Sequence, residues 1–164
     1  MTGPQLPGVL ALEVARQHLG VKEHPPGSNR TPFGAWIGVD GAPWCAAFVS
    51  YCFHRGAGVV LCADWDGPGV RPLGCVYVPT IAAWGRARGF WLPAGETPVP
   101  GDLAIYDWQG DGRSDHVGIV DVHSGGGHFL AIEGNTAEGN DSDGGQVMLR
   151  ERHARSLAGL VRVR

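Results

Sequence analysis

Hydrophobic periodicity changes once along this chain, close to Pro98, and that change restricts the folds open to it. Before Pro98, three segments repeat apolar residues at helical spacing. Residues 9–19 place Leu12, Ala15 and Leu19 on one stripe, widened by Ala11 and Val14, with Gly20 where a C-terminal cap belongs. Residues 44–54 follow Pro43, which suits a first helical position, and Gly56 and Gly58 are read as the stop. Residues 79–88 form the third segment, with Ile81 and Trp84 on one face and Gly89 as its cap. After Pro98 the pattern becomes short β-type runs at residues 102–106, 117–122, 129–133, 146–149 and 160–163, separated by Gly, Asp, Asn and Ser. Helices followed by strands predict an α+β fold, with N-terminal helices packed on a C-terminal antiparallel β-sheet. No repeat or linker interrupts the pattern, so residues 1–164 are read as one domain. Residues 22–43, rich in Pro, Gly, Ser, Asn and Thr, read as a long loop with one short helical turn, and loops of that length are usually functional.

A chain of 164 residues, 43% hydrophobic and 18% charged, is too apolar for disorder, and its apolar residues are too dispersed for a membrane span. Its net charge of −3 and lack of a basic run disfavour nucleic acid and membrane surfaces as partners. The apolar residues 6–12 are broken by Pro7 and Gly8 and lack a basic leader, so no signal peptide is expected. Cys45, Cys52, Cys62 and Cys75 contain no CxxC pair, which argues against a zinc ribbon or a thioredoxin-like motif. Free thiols are the expectation, although Cys62 and Cys75 flank a Gly/Pro-rich loop that a disulfide would staple.

The chemistry-bearing residues are a cysteine in Pro43-Trp44-Cys45-Ala46-Ala47-Phe48-Val49, a histidine in Asp115-His116-Val117-Gly118, and Glu133 and Asn135 in Ile132-Glu133-Gly134-Asn135. Their order is that of a papain-type nucleophile, base and orienting group. At a helix N-terminus the unpaired N–H groups and the dipole favour an anion, so a cysteine there tends toward thiolate. Its own N–H would supply half of an oxyanion hole. The competing reading of Cys45 is a buried core thiol, because Phe48, Val49 and Cys52 share its stripe. His116 separates the two. The turn Ser124-Gly125-Gly126-Gly127 centres a hairpin near Gly126, and antiparallel pairing then brings His116 opposite residues 133–135. Glu133 and Asn135 project to one face of their strand, so either is placed to orient the imidazole.

Other features carry weaker readings. His54 is expected near the end of its helix, and His123 and His128 on the surface beside the glycine turn. Asp107, Gln109, Asp111 and Asp115 repeat the oxygen spacing of the first half of a calcium loop, but Gly118 stands where its closing glutamate belongs. A structural calcium and a plain Asp/Gly hairpin turn both fit. Trp36, Trp44, Trp65 and Trp108 fall in loops or at element ends, where an aromatic face can line a groove for sugar or peptide, whereas Trp84 and Trp91 are assigned to the core.

Taken with Gly20-Val21-Lys22-Glu23, Gly27-Ser28-Asn29 and Pro100-Gly101-Asp102, these blocks resemble, in content and order, those of the CHAP family, the cysteine, histidine-dependent amidohydrolases/peptidases. The resemblance implies a papain-like fold with Cys45 as nucleophile, His116 as general base then acid, Glu133 orienting His116, and Asn135 assisting. It adds Glu23 and Asn29, with Trp36 and Trp44, as expected substrate-binding residues. It implies an amide bond of peptidoglycan as the target, cut as an N-acetylmuramoyl-L-alanine amidase or as a stem or cross-bridge endopeptidase, with no cofactor required. A compact monomeric endolysin, made in the cytoplasm and reaching the wall after phage lysis or by specialised export, is the expectation. The alternative is a non-catalytic wall-binding or scaffold module of the same fold.

Overall fold

The structure, a computed structural model, describes residues 5–141 and 143–164. Helix α1 (Pro7–Gln17) begins on a proline whose missing N–H costs nothing at that position, and it buries Gly8, Ala11, Leu12 and Ala15 along one stripe. The short turn expected in the long loop is α2 (Pro32–Ile37), capped by Thr31, whose Oγ1 accepts the Gly34 N–H at 3.1 Å. Helix α3 (Cys45–Ala57) is buried along most of its length. Pro43 lies outside it, because Trp44 takes the N-cap position. Gly56, expected to stop the helix, lies inside it. A Cβ there would meet the Leu10 carbonyl oxygen at 2.4 Å, so this glycine permits the close crossing of α1 and α3. The helix ends at Gly58, in the left-handed conformation at φ 66°. Helix α4 (Val78–Ala87) completes the helical half.

Two elements absent from the sequence reading precede the strands after Pro98. A ribbon pairs β1 (Val70–Arg71) with β2 (Gly74–Cys75) inside the loop after α3, and β3 (Trp91–Pro93) follows α4. The strands after Pro98 are β4 (Leu103–Tyr106), β5 (His116–Gly125), β6 (His128–Thr136), β7 (Gln146–His153) and β8 (Leu157–Val161). They join β3 in a six-stranded antiparallel sheet of order β3-β8-β4-β5-β6-β7. The β5–β6 hairpin turns at Gly126 and Gly127, between Gly125 and its partner His128, as the spacing predicts.

One face of the sheet, through Leu103, Ile105, Val117, Ile119 and Ile132, joins α1 and α3 in the main core. The other face carries a second cluster of Ala104, Tyr106, Val120, Phe129, Ala131 and Leu160. Asp102 of the Pro100-Gly101-Asp102 block is buried. Its carboxylate accepts from Arg162 at 2.8 and 2.9 Å and from the Val99 N–H at 2.9 Å, tying the start of β4 to the chain end. All four cysteines are free and buried. The staple considered for Cys62 and Cys75 is not formed; instead the two thiols hydrogen-bond, and that bond together with burial pushes the Cys62 thiol well up. The ribbon is fastened to α3 by Ser50, whose Oγ donates to the Cys75 carbonyl at 2.7 Å and accepts its N–H at 3.0 Å.

Candidate functional site

Cys45 opens α3, where first-turn N–H groups have no intrahelical acceptor; the first bond of the helix runs from the Phe48 N–H to the Trp44 carbonyl at 2.9 Å. The cysteine is 6% exposed. The Trp44 side chain is wholly buried, stacked on Phe33 with centroids 5.8 Å apart, and its Nε1 donates to Glu23 Oε1 at 3.0 Å. Glu23 also accepts the Asn29 N–H on Oε2 at 3.1 Å. The start of α3 is therefore anchored by a buried carboxylate from the long loop.

Opposite Cys45, the first residue of β5 is His116, fully buried, with Nε2 3.1 Å from Glu133 Oε2 on β6. Burial opposes a charged imidazole, but the charge and hydrogen bond of Cys45, followed by those of Glu133, outweigh it and lift the His116 pKa to about 9. Burial likewise opposes an ionised Glu133, yet hydrogen bonds from Arg152 and His116 and their charges hold its pKa down at about 2. An ionised carboxylate only accepts, so the Nε2–H donates to it. Nδ1 is also buried and has no hydrogen-bond partner among the described residues. The strand-pairing argument thus holds, and of its two candidates Glu133 is the one that takes the imidazole. Asn135 lies beyond it in an irregularity between Glu133 and Thr136, at φ 57°; its side chain is buried and its carbonyl accepts the Gly144 N–H at 2.9 Å.

Two glycines make this juxtaposition sterically feasible. A Cβ on Gly118 would come within 2.6 Å of the Glu133 Cγ, and one on Gly134 within 2.7 Å of the Trp44 ring and 2.8 Å of the Phe48 Cβ. Gly118 gives Glu133 room to reach His116, and Gly134 lets the start of α3 press onto β6.

Sequence reasoning missed Arg152 and Tyr106, and it read Trp108 as a groove-lining aromatic rather than as a partner of these two. Arg152 on β7 donates to Glu133 from Nε at 2.8 Å and from Nη2 at 2.5 Å. Its guanidinium lies 4.8 Å from the Trp108 ring centroid and 5.5 Å from that of Tyr106. Trp108 in turn stacks on Tyr106 at 4.6 Å, and Tyr106 lies 5.9 Å from the His116 ring. The available signal was strand length: read past residue 149, the alternation carries Arg152 to the position opposite Phe129.

The remaining expectations divide. Glu23 and Asn29 line a polar cavity of about 140 Å³ with Gly27, Asp143, Gly144 and Gly145, next to Asn135 through the Gly144 bond. Trp44 is not a groove wall, because its ring is sealed inside the core. Trp36 is not one either; it packs edge-on against Tyr51 and His54, further along α3 from Cys45. The calcium-type residues form a hydrogen-bonded turn. Asp107 accepts the N–H groups of Gly110, Asp111 and Gly112, Asp111 accepts that of Arg113, and Asp115 accepts that of Trp108. The Gln109 amide faces Asp115. Among the described residues no group of three or more His, Cys, Asp or Glu side chains is arranged to hold a metal ion. Among them, too, no helix is long and apolar enough to cross a membrane.

A cysteine at a helix N-terminus, facing a histidine at the start of a strand in an antiparallel sheet, defines the papain-like class of α+β proteins. The CHAP domain family matches residues 37–135, more than half of the chain, and the chain belongs to that family. Among solved structures, Ly7917 crystallised with the hydrolyzing product of MDP aligns at a TM-score of 0.56 with 16% identity, covering 95% of this chain and 62% of that one. A second structure of Ly7917 gives a TM-score of 0.55, again at 16% identity with 95% of this chain and 62% of the other covered. This likeness is one of fold, and the present chain spans 62% of that protein's length. No curated protein matches the chain.

Proposed function

We propose that this chain is a peptidoglycan hydrolase that cleaves an amide bond of the bacterial cell wall through a Cys45–His116 thiol mechanism. The observation that carries the reading is the fully buried His116, whose Nε2 is committed to Glu133 and whose charged form is favoured by Cys45. Family membership and the fold shared with a protein crystallised with the hydrolyzing product of MDP support the wall as substrate. The Cys45 sulfur attacks the amide carbonyl, and the Cys45 N–H, free at the helix start, stabilises the developing oxyanion. The His116 imidazolium protonates the departing amine from Nδ1, which breaks the C–N bond and leaves a thioester. Neutral His116 then takes a proton from water, and the hydroxide attacks the thioester, which releases the acyl group as a carboxylic acid and returns Cys45 as thiolate beside the imidazolium. Asn135 assists beside this centre, and the Glu23/Asn29 cavity receives part of the substrate. The mechanism uses no cofactor.

Loss of turbidity of purified cell walls tests the reading. Cys45→Ala is expected to reduce lysis by roughly four orders of magnitude. Cys52→Ala, one turn or more down the helix and fully buried, keeps it, and calcium chelation leaves the rate unchanged. Lysis that survives Cys45→Ala overturns the mechanism.

A further inference from the structure

We propose that Arg152 is a positioning residue for this centre: its guanidinium grips both Glu133 oxygens and thereby fixes the carboxylate that holds His116 in the Nε2–H tautomer. The inference rests on the reading of Cys45 and His116 as the reacting pair. The geometry is that of a planar fork on a carboxylate, with Nε on Oε1 at 2.8 Å and Nη2 on Oε2 at 2.5 Å, while Oε2 also receives His116. The fork is itself held in place. Its Nη1 donates to Asp141 at 2.8 Å, and its plane lies against Trp108 and Tyr106. Arg150 reaches the same Asp141 oxygen at 2.8 Å, so Asp141 is pinned behind the fork.

Among the described residues, the titratable groups facing Glu133 come from three strands and one helix. His116 comes from β5, Tyr106 from β4 and Arg152 from β7, with Cys45 of α3 beyond the imidazole. Burial pushes the Tyr106 phenol well up and the nearby Glu133 charge pushes it further, so it stays neutral and contributes no charge of its own. Arg152 is then the permanent cation of the cluster. Without it, a wholly buried carboxylate would depend on a titrating histidine to remain charged, and protonation of Glu133 would release the Nε2–H and let the ring turn away from Cys45.

The test is the pH dependence of Cys45 alkylation by iodoacetamide, followed by intact-protein mass spectrometry with Cys45→Ala as the blank. Alkylation reads formation of the thiolate beside the imidazolium and needs no wall substrate. Arg152→Gln is expected to move the acid-side midpoint up by about one to three pH units, the range a neighbouring opposite charge controls. Arg152→Lys, which keeps a charge and loses the fork, falls between the two. In a Glu133→Gln background, Arg152→Gln shifts the midpoint no further. A merely structural role would lower the folded fraction and leave the midpoint in place. If Arg152→Gln does not fold, Arg152→Lys decides the question, since a raised midpoint supports the proposal and a wild-type midpoint overturns it. A wild-type protein that is alkylated as expected but releases nothing from walls contradicts the proposed function and leaves the role of Arg152 intact.

Discussion

At the scale of residues, the centre is a chain of interacting groups that runs Cys45, His116, Glu133, Arg152, Asp141. Two of its members make stability depend on pH. The folded His116 holds its proton up to about pH 9, against an ordinary value of 6.5. Its contribution is therefore complete below about pH 6.5 and is lost as pH rises through 9. Glu133 works in the opposite sense; its contribution is present above about 4.5 and is lost as pH falls toward 2. Urea unfolding midpoints should accordingly form a plateau between those limits and decline on both sides, whereas an undiminished midpoint at about pH 10 would contradict the buried imidazolium. Cys45, His116 and Glu133 were legible in the sequence because a helix start and a hairpin register fix positions along the chain. Arg152 was not, since its partner is chosen by strand order across the sheet and its place on β7 shows only when the strand is read past residue 149. Trp36 and Trp44 misled for a related reason: an aromatic at an element end fills whatever space the neighbouring elements leave.

At the scale of elements, the decisive contact is the seat of α3 on β6. Gly134→Ala should push Trp44 and Phe48 off the strand, costing about 1–3 kcal/mol of stability. It should also reduce wall hydrolysis more than the fall in folded fraction explains, because Cys45 moves with the helix start. Thermal denaturation alongside a turbidity assay separates the two effects, and hydrolysis reduced only in step with folding would show that the seat does not set the position of Cys45. The long helices were readable to within a few residues, since their apolar stripes span several turns. The ribbon β1–β2 and strand β3 were not, because two- and three-residue strands are too short to show alternation. The C-terminal half of β7 was lost because charged residues 150–152 look like an exposed turn until Glu133 and Asp141 are known to receive them.

At the scale of the whole molecule, the helical half and the sheet meet along β5 and β6, and the candidate centre lies at that seam, as the order of helices before strands implied. The strand order β3-β8-β4-β5-β6-β7 was beyond sequence reasoning, because the return of β8 between β3 and β4 follows from pairing of distant segments rather than from any local pattern. That order places β4, β5, β6 and β7 side by side, and with them Tyr106, His116, Glu133 and Arg152. The proposed role of this seam is cleavage of an amide bond in the cell wall. It is tested most directly by digesting purified peptidoglycan and identifying the newly freed amine by mass spectrometry. A new L-alanine N-terminus marks an amidase, and D-alanine or glycine marks an endopeptidase; either result, absent from a digest with Cys45→Ala, is what the account predicts. Wild-type digests that show no new amine, or Cys45→Ala digests that show the same one, would contradict it.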